Sequence, residues 1–176
     1  MKKIILLLLF IPSLLAAQSA KRDSIWMPFK YFVGSWKGEG GGEPGIGQYE
    51  RSYEWVLGKR FIEIKNKSTY AATDKNPKGE IHEDIGYFSY DGGRKTFVLR
   101  QFHEEGFVNQ FVLDSISPDG KMIVFMTESI ENIPAGYRAR ESYQIVSNDE
   151  FIETFEIAEP GKDFAIYSSV KLKRQK

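Results

Sequence analysis

Two histidines, one aspartate and two side-chain amides carry the chemistry that can be read most directly from this chain. His82 and Asp84 stand two residues apart, as do Gln101 and His103, and Asn109 follows six residues later. In a β-strand, positions two apart share a face. Two imidazoles and a carboxylate on one face could bind a divalent metal or act as an acid/base pair, and the amides would orient a polar group of a ligand. No Gly-x-Ser-x-Gly elbow occurs, so serine nucleophile chemistry has no support.

The elements that must position these groups are two successive hairpins. Strands are expected at Glu80–Tyr90, Lys95–His103 and Phe107–Ser115, with turns at Asp91–Arg94 and Glu104–Gly106. A two-residue Gly92-Gly93 turn would pair Phe88 with Phe97, Asp84 with Gln101 and His82 with His103. A three-residue loop closed by a left-handed Gly106 would pair His103 with Phe107, Gln101 with Asn109 and Leu99 with Phe111. One face then carries Phe88, Phe97, Leu99, Phe107 and Phe111 beside the polar set. An apolar floor with a few converging polar groups is how small-molecule sites are built. A slip of one residue in either turn would send the set to the other face.

Further along the chain, Tyr49, Arg51, Tyr53 and Trp55 alternate with Glu50, Ser52 and Glu54. An inward aromatic face would carry Arg51 with it. That arginine would meet an anionic ligand group, pair with Asp84, or sit partly exposed near a rim. Arg100 is a second candidate for a ligand carboxylate. Trp36 faces the interior from a glycine-rich strand, Phe32–Gly42, whose glycines permit a sharp bend or the close approach of another backbone. Trp36 counts first as core and only second as a ligand contact.

The remaining strands are expected at Gly47–Val56, Phe61–Thr69, Met122–Glu128, Tyr137–Val146, Phe151–Ile157 and Phe164–Lys173, separated by short turns such as Ser117-Pro118-Asp119-Gly120. About ten antiparallel strands at short, even spacing make an all-β meander. Closure into an up-and-down barrel removes its edges and covers its apolar face. A short helix, within a segment spanning 19–31, precedes the single barrel domain at 32–176 and is read as a plug for the end of the sheet.

The chain has 176 residues, enough for one domain with a substantial core, and a formal net charge of +0. That balance gives no electrostatic footprint for nucleic acid. Residues 1–18 read as a signal peptide: Lys2-Lys3, then an apolar run over Ile4–Leu15, then the small-residue exit Ala16-Ala17. Export to the periplasm or beyond is expected, with no stable membrane anchor once the segment is removed. The chain has no cysteine, so neither a disulfide nor a thiolate is available. The protein is expected as a monomer or homodimer.

Phe32-Val33-Gly34-Ser35-Trp36-Lys37-Gly38-Glu39-Gly40 resembles the opening strand of the nitrobindin-like heme-binding barrels, within the calycin group of lipocalins and fatty-acid-binding proteins. His82-Glu83-Asp84-Ile85-Gly86-Tyr87-Phe88 resembles the nitrobindin strand that sets a histidine and an acid ahead of Gly-Tyr. The run Arg100–Asn109 is similar to the most distinctive stretch of a bacterial family of exported lipocalin-like domains of unassigned function. The resemblance implies a barrel with an internal ligand. It also implies heme held by a histidine of the last strand, where this chain offers Tyr167, Ser168 and Ser169 instead. Heme would have to use His82, His103 or Tyr167. The reading is therefore a non-catalytic barrel holding a small, largely apolar molecule, with or without an anionic group. The alternatives are a heme barrel, a metal-dependent enzyme built on His82, His103 and Asp84, and a solid-packed structural domain.

Overall fold

The structure, a computed structural model, describes residues 23–43, 45–72 and 77–176. The expected signal peptide lies outside the described residues. The described residues divide into two compact units, with the boundary between Phe32 and Val33. In the first, helix α1 (Met27–Lys30) opens with Pro28 in its first turn, where a missing N–H costs nothing. Trp26 and Phe29 meet edge to face, as do Tyr31 and Phe32.

The second unit is a closed antiparallel barrel of ten strands. These are β1 (Gly34–Gly42), β2 (Gly47–Val56), β3 (Phe61–Tyr70), β4 (Glu80–Asp91), β5 (Thr96–His103), β6 (Val108–Ile116), β7 (Met122–Glu131), β8 (Arg138–Ser147), β9 (Glu150–Ala158) and β10 (Ala165–Arg174). Each pairs with its neighbours in sequence, and β1 pairs with β10 to close the cylinder, from Trp36 opposite Arg174 to Gly42 opposite Ser168. The expected all-β up-and-down barrel is the observed fold.

The closing seam explains the glycines of β1. A Cβ at Gly38 would lie 1.9 Å from the carbonyl oxygen of Lys171, and one at Gly42 would lie 1.9 Å from that of Tyr167. Only a residue without a side chain lets β10 approach this closely.

Strand alternation sends one set of side chains inward. At one end of the barrel that set is a packed aromatic core of Trp36, Tyr53, Phe88, Phe125, Tyr143 and Phe151, all essentially without solvent contact. Phe88 stacks on Phe125 and Trp36 meets Phe151 edge to face. Farther along the same strands the inward positions turn polar. Tyr53 gives way to Arg51 on β2, Ile64 to Asn66 on β3, Phe88 to Asp84 on β4, and Tyr143 to Glu141 on β8. The outward set on β1 to β4 carries surface ion pairs such as Lys37–Glu50 and Lys67–Glu83.

Candidate functional site

The second central hairpin has the expected register. Gly106 is left-handed (φ 88°), the His103 N–H donates to the Phe107 carbonyl, and Gln101 pairs with Asn109 and Leu99 with Phe111. The first hairpin corrects the expectation. Asp91 pairs with Thr96, so the loop is Gly92-Gly93-Arg94-Lys95, and Phe88 faces Leu99 while Asp84 faces His103. The longer loop is held by Asp91, whose Oδ1 accepts the N–H groups of Gly93 and Arg94, both at 3.0 Å, and by a left-handed Lys95. The pairing is displaced by two residues, an even number, so every side chain keeps the face assigned to it.

His82, Asp84, Gln101, His103 and Asn109 are thus brought together inside the barrel, where Asn109, Gln101 and Asp84 are buried. His82 is anchored by its Nδ1–H, which donates to Glu105 Oε1 at 2.6 Å; its Nε2 lies 3.8 Å from Asp84 Oδ2. Asp84 Oδ1 accepts from Asn66 Nδ2 at 2.7 Å. The Asn109 amide meets His103 Nε2 at 3.2 Å, and the His103 ring stacks on Phe107. The two imidazoles do not pair across the ladder, but their rings lie 5.8 Å apart. His103 Nδ1 and Asn66 Oδ1 are buried with no hydrogen-bond partner.

Burial, reinforced by His82, pushes the His103 pKa down to about 4, so this imidazole is neutral near pH 7. Burial pushes the Asp84 carboxyl up to about 6, against the pull of Arg51.

Arg51 is buried, and the chain itself supplies its anion. Its Nη2 donates to Glu153 Oε1 at 2.7 Å, and its Nε donates to the same oxygen at 3.0 Å. The partner is neither Asp84 nor solvent, because β9 carries Glu153 on its inward face and brings it across the barrel interior. Tyr53 adds a longer bond to Glu153 at 3.4 Å. Burial opposes the Arg51 charge, but Glu153 more than compensates and holds the guanidinium above its ordinary range. A second acid, Glu141, is buried beside this pair. Burial first, then the Glu153 charge, raise its carboxyl well above the usual range.

Glu141 and Glu153 are functional candidates that the sequence reading missed. Each occupies an inward position in an otherwise apolar alternation: Ala139, Glu141, Tyr143 on β8 and Phe151, Glu153, Phe155 on β9. The same signal, a charged residue at an inward position, is present there as at Arg51.

Around these groups lies a cavity of about 470 Å³. Its apolar walls include Phe107, Ile130, Phe155 and Ile157, and its polar surface includes Arg51, Asn66, His82, Asp84, Glu141 and Glu153. Exposed Glu80, Glu105 and Tyr167 also line it, so it reaches the surface. Two expected residues stand elsewhere. Trp36 belongs to the packed end, and the Arg174 guanidinium lies over its ring at 4.1 Å. Arg100, one residue out of phase with Gln101, faces outward and donates to Gln110 Oε1 at 2.9 Å and to Ser89 Oγ.

No protein-family pattern matches the chain, and no curated protein matches it. Among solved structures, it is similar to Rv2717c from M. tuberculosis, with 22% identity over 86% of this chain and 98% of that one, at a TM-score of 0.66. It is also matched, more distantly, by a fluorescence-activating β-barrel designed de novo, with 14% identity over 83% of this chain and 95% of that one, at a TM-score of 0.43. The likeness to Rv2717c supports the closed antiparallel β-barrel fold.

Heme, which the resemblance to nitrobindin-like barrels implies, does not fit this lining. Among the described residues, Arg51 is the only buried cation, and Glu153 already occupies it. The cavity lining carries Asp84, Glu80 and Glu105 against the exposed Arg138, a poor match for two anionic propionates, and β10 offers no histidine to the iron.

Proposed function

We propose that this barrel is an exported, non-catalytic carrier that holds one small, largely apolar and uncharged molecule in its cavity. The observation that carries this reading is the division of the interior. Aromatic side chains fill one end solidly, while the other leaves about 470 Å³ between apolar walls and buried polar side chains. A cavity of that size suits a molecule of drug-like dimensions.

The electrostatics favour a neutral ligand over the anionic one that Arg51 or Arg100 first suggested. The Arg51–Glu153 pair is internally neutral, Arg100 points outward, and a ligand carboxylate would add to a lining already rich in acids. The raised pKa of Glu141 favours its neutral, hydrogen-bond-donating form, which a carbonyl, ether or hydroxyl oxygen on an otherwise apolar ligand matches. Export rests on the charged start, apolar run and small-residue exit of residues 1–18.

The test is organic extraction of protein purified from its own host, followed by mass spectrometry. A single neutral, mainly apolar species near one equivalent supports the proposal. Protein that comes away empty from its own host, or that carries only anionic species, contradicts it.

A further inference from the structure

We infer that His82, Asp84 and His103 form a binding site for a divalent cation of the zinc or ferrous type, set in the wall of the cavity. One ligand atom from each of the three residues can be chosen such that all lie within 4.8 Å of one another. Two imidazoles and a carboxylate are a donor set that zinc and non-heme iron both accept, leaving coordination positions open.

The hydrogen bonds around the trio are those of a supported metal site. Glu105 accepts the Nδ1–H of His82, which leaves the Nε2 lone pair free on the side of Asp84. Asn66 holds one Asp84 oxygen and leaves the other, Oδ2, toward His82. Asn109 Nδ2 donates to Nε2 of His103, which puts the ring hydrogen of the neutral imidazole on Nδ1, a buried polar atom with no partner in the fold; a metal at Nδ1 takes the place of that hydrogen, which moves to Nε2. Metal-ligating histidines characteristically anchor their second nitrogen on a carboxylate or other polar group in this way. On binding, the Asn109 amide turns over so that its oxygen accepts from the His103 Nε2–H. Bonds of about 2.0–2.1 Å in a tetrahedral site bring ligand atoms to roughly 3.3 Å apart. The 3.8 Å between His82 Nε2 and Asp84 Oδ2 therefore closes with small side-chain movements.

Three neighbouring polar groups supporting three ligands, with a buried orphan nitrogen among them, is more than a coincidence of polar residues. The open positions of the ion face a cavity whose ligand then meets a Lewis acid. The inference does not depend on what that ligand is.

A second set, His82 with Glu104 and Glu105, also comes within ligand distance of itself, but both of its acids are exposed. The experiment separates the two. Untagged full-length protein, stripped with a chelator, is titrated with Zn(II) by calorimetry and with Co(II) by visible absorption. One equivalent is expected to bind. Affinity should fall by at least about a hundredfold in His103→Gln and in Asp84→Asn, beyond the roughly tenfold to hundredfold cost of losing an outer-shell partner. Glu104→Gln should bind as the parent does. Because the chain has only two histidines, nitrogen NMR of the unmutated protein gives a readout independent of whether variants fold. Both imidazoles should shift with the first equivalent of Zn(II). A response from His82 alone, binding abolished by Glu104→Gln but kept in His103→Gln, or no stoichiometric binding would each overturn the inference.

Discussion

Arg51 and Glu153, 102 residues apart in sequence, form a two-pronged ion pair inside the barrel, with both side chains almost wholly removed from solvent. Removing one partner of such a pair strands the other charge without water. Arg51→Met is expected to destabilise the protein by about 3–5 kcal/mol in urea unfolding. The double variant Arg51→Met/Glu153→Leu should recover much of that loss, because an apolar pair of similar volume carries no desolvation cost. A double variant less stable than the single would show that the pair holds the barrel together by more than charge balance.

Glu141 gives the fold a pH dependence of defined sign. Its pKa in the folded protein lies above the ordinary value near 4.3 that it has in the unfolded chain. Its contribution to stability is therefore fully present below about pH 4 and is lost as the pH rises and the buried carboxyl is driven to ionise. Glu141→Gln keeps the shape and removes the titration. The variant should match the parent near pH 4 and gain on it steadily toward pH 8, measured as the difference between their urea midpoints. A constant difference across that range would mean that Glu141 is solvated.

The β1–β10 seam should be intolerant of a single methyl group. Gly38→Ala places a carbon on the Lys171 carbonyl, which is backbone and cannot swing away. A loss of about 1–3 kcal/mol or more is expected. Gly92→Ala, in open space at the β4–β5 loop, should stay within about 0.5 kcal/mol of the parent in the same unfolding assay.

The barrel could be anticipated because its signals are local. Alternation of Tyr49, Arg51 and Tyr53, and the glycine at the close of Glu104–Gly106, each fix a face or a turn from a few residues. The site could be anticipated in part for the same reason. His82, Asp84, Gln101, His103 and Asn109 share a face that survived a misplaced turn, because the Gly92–Lys95 loop is longer than expected by an even number of residues. Its length was hidden because it depends on Asp91 capping two backbone N–H groups and on Lys95 accepting a left-handed conformation. Partners drawn from distant strands were the other blind spot. The pairing of Arg51 with Glu153 is a product of closure, which brings the side chains of β2 and β9 toward each other across the interior, and no local spacing encodes it. Arg100 is the opposite case: its charge suggests a ligand contact, but its phase relative to Gln101 puts it on the outer face.

The central claim is that the cavity takes up a small apolar guest, and its most direct test is a titration with a neutral environment-sensitive dye. Ser68 is buried and lines the cavity, so Ser68→Phe fills the space from the β3 side without touching the packed aromatic end. The account predicts saturable binding at one dye per protein, with affinity reduced at least about tenfold in Ser68→Phe, the equivalent of about 1.4 kcal/mol. Absence of saturable binding, or binding of equal strength in the filled variant, would contradict it.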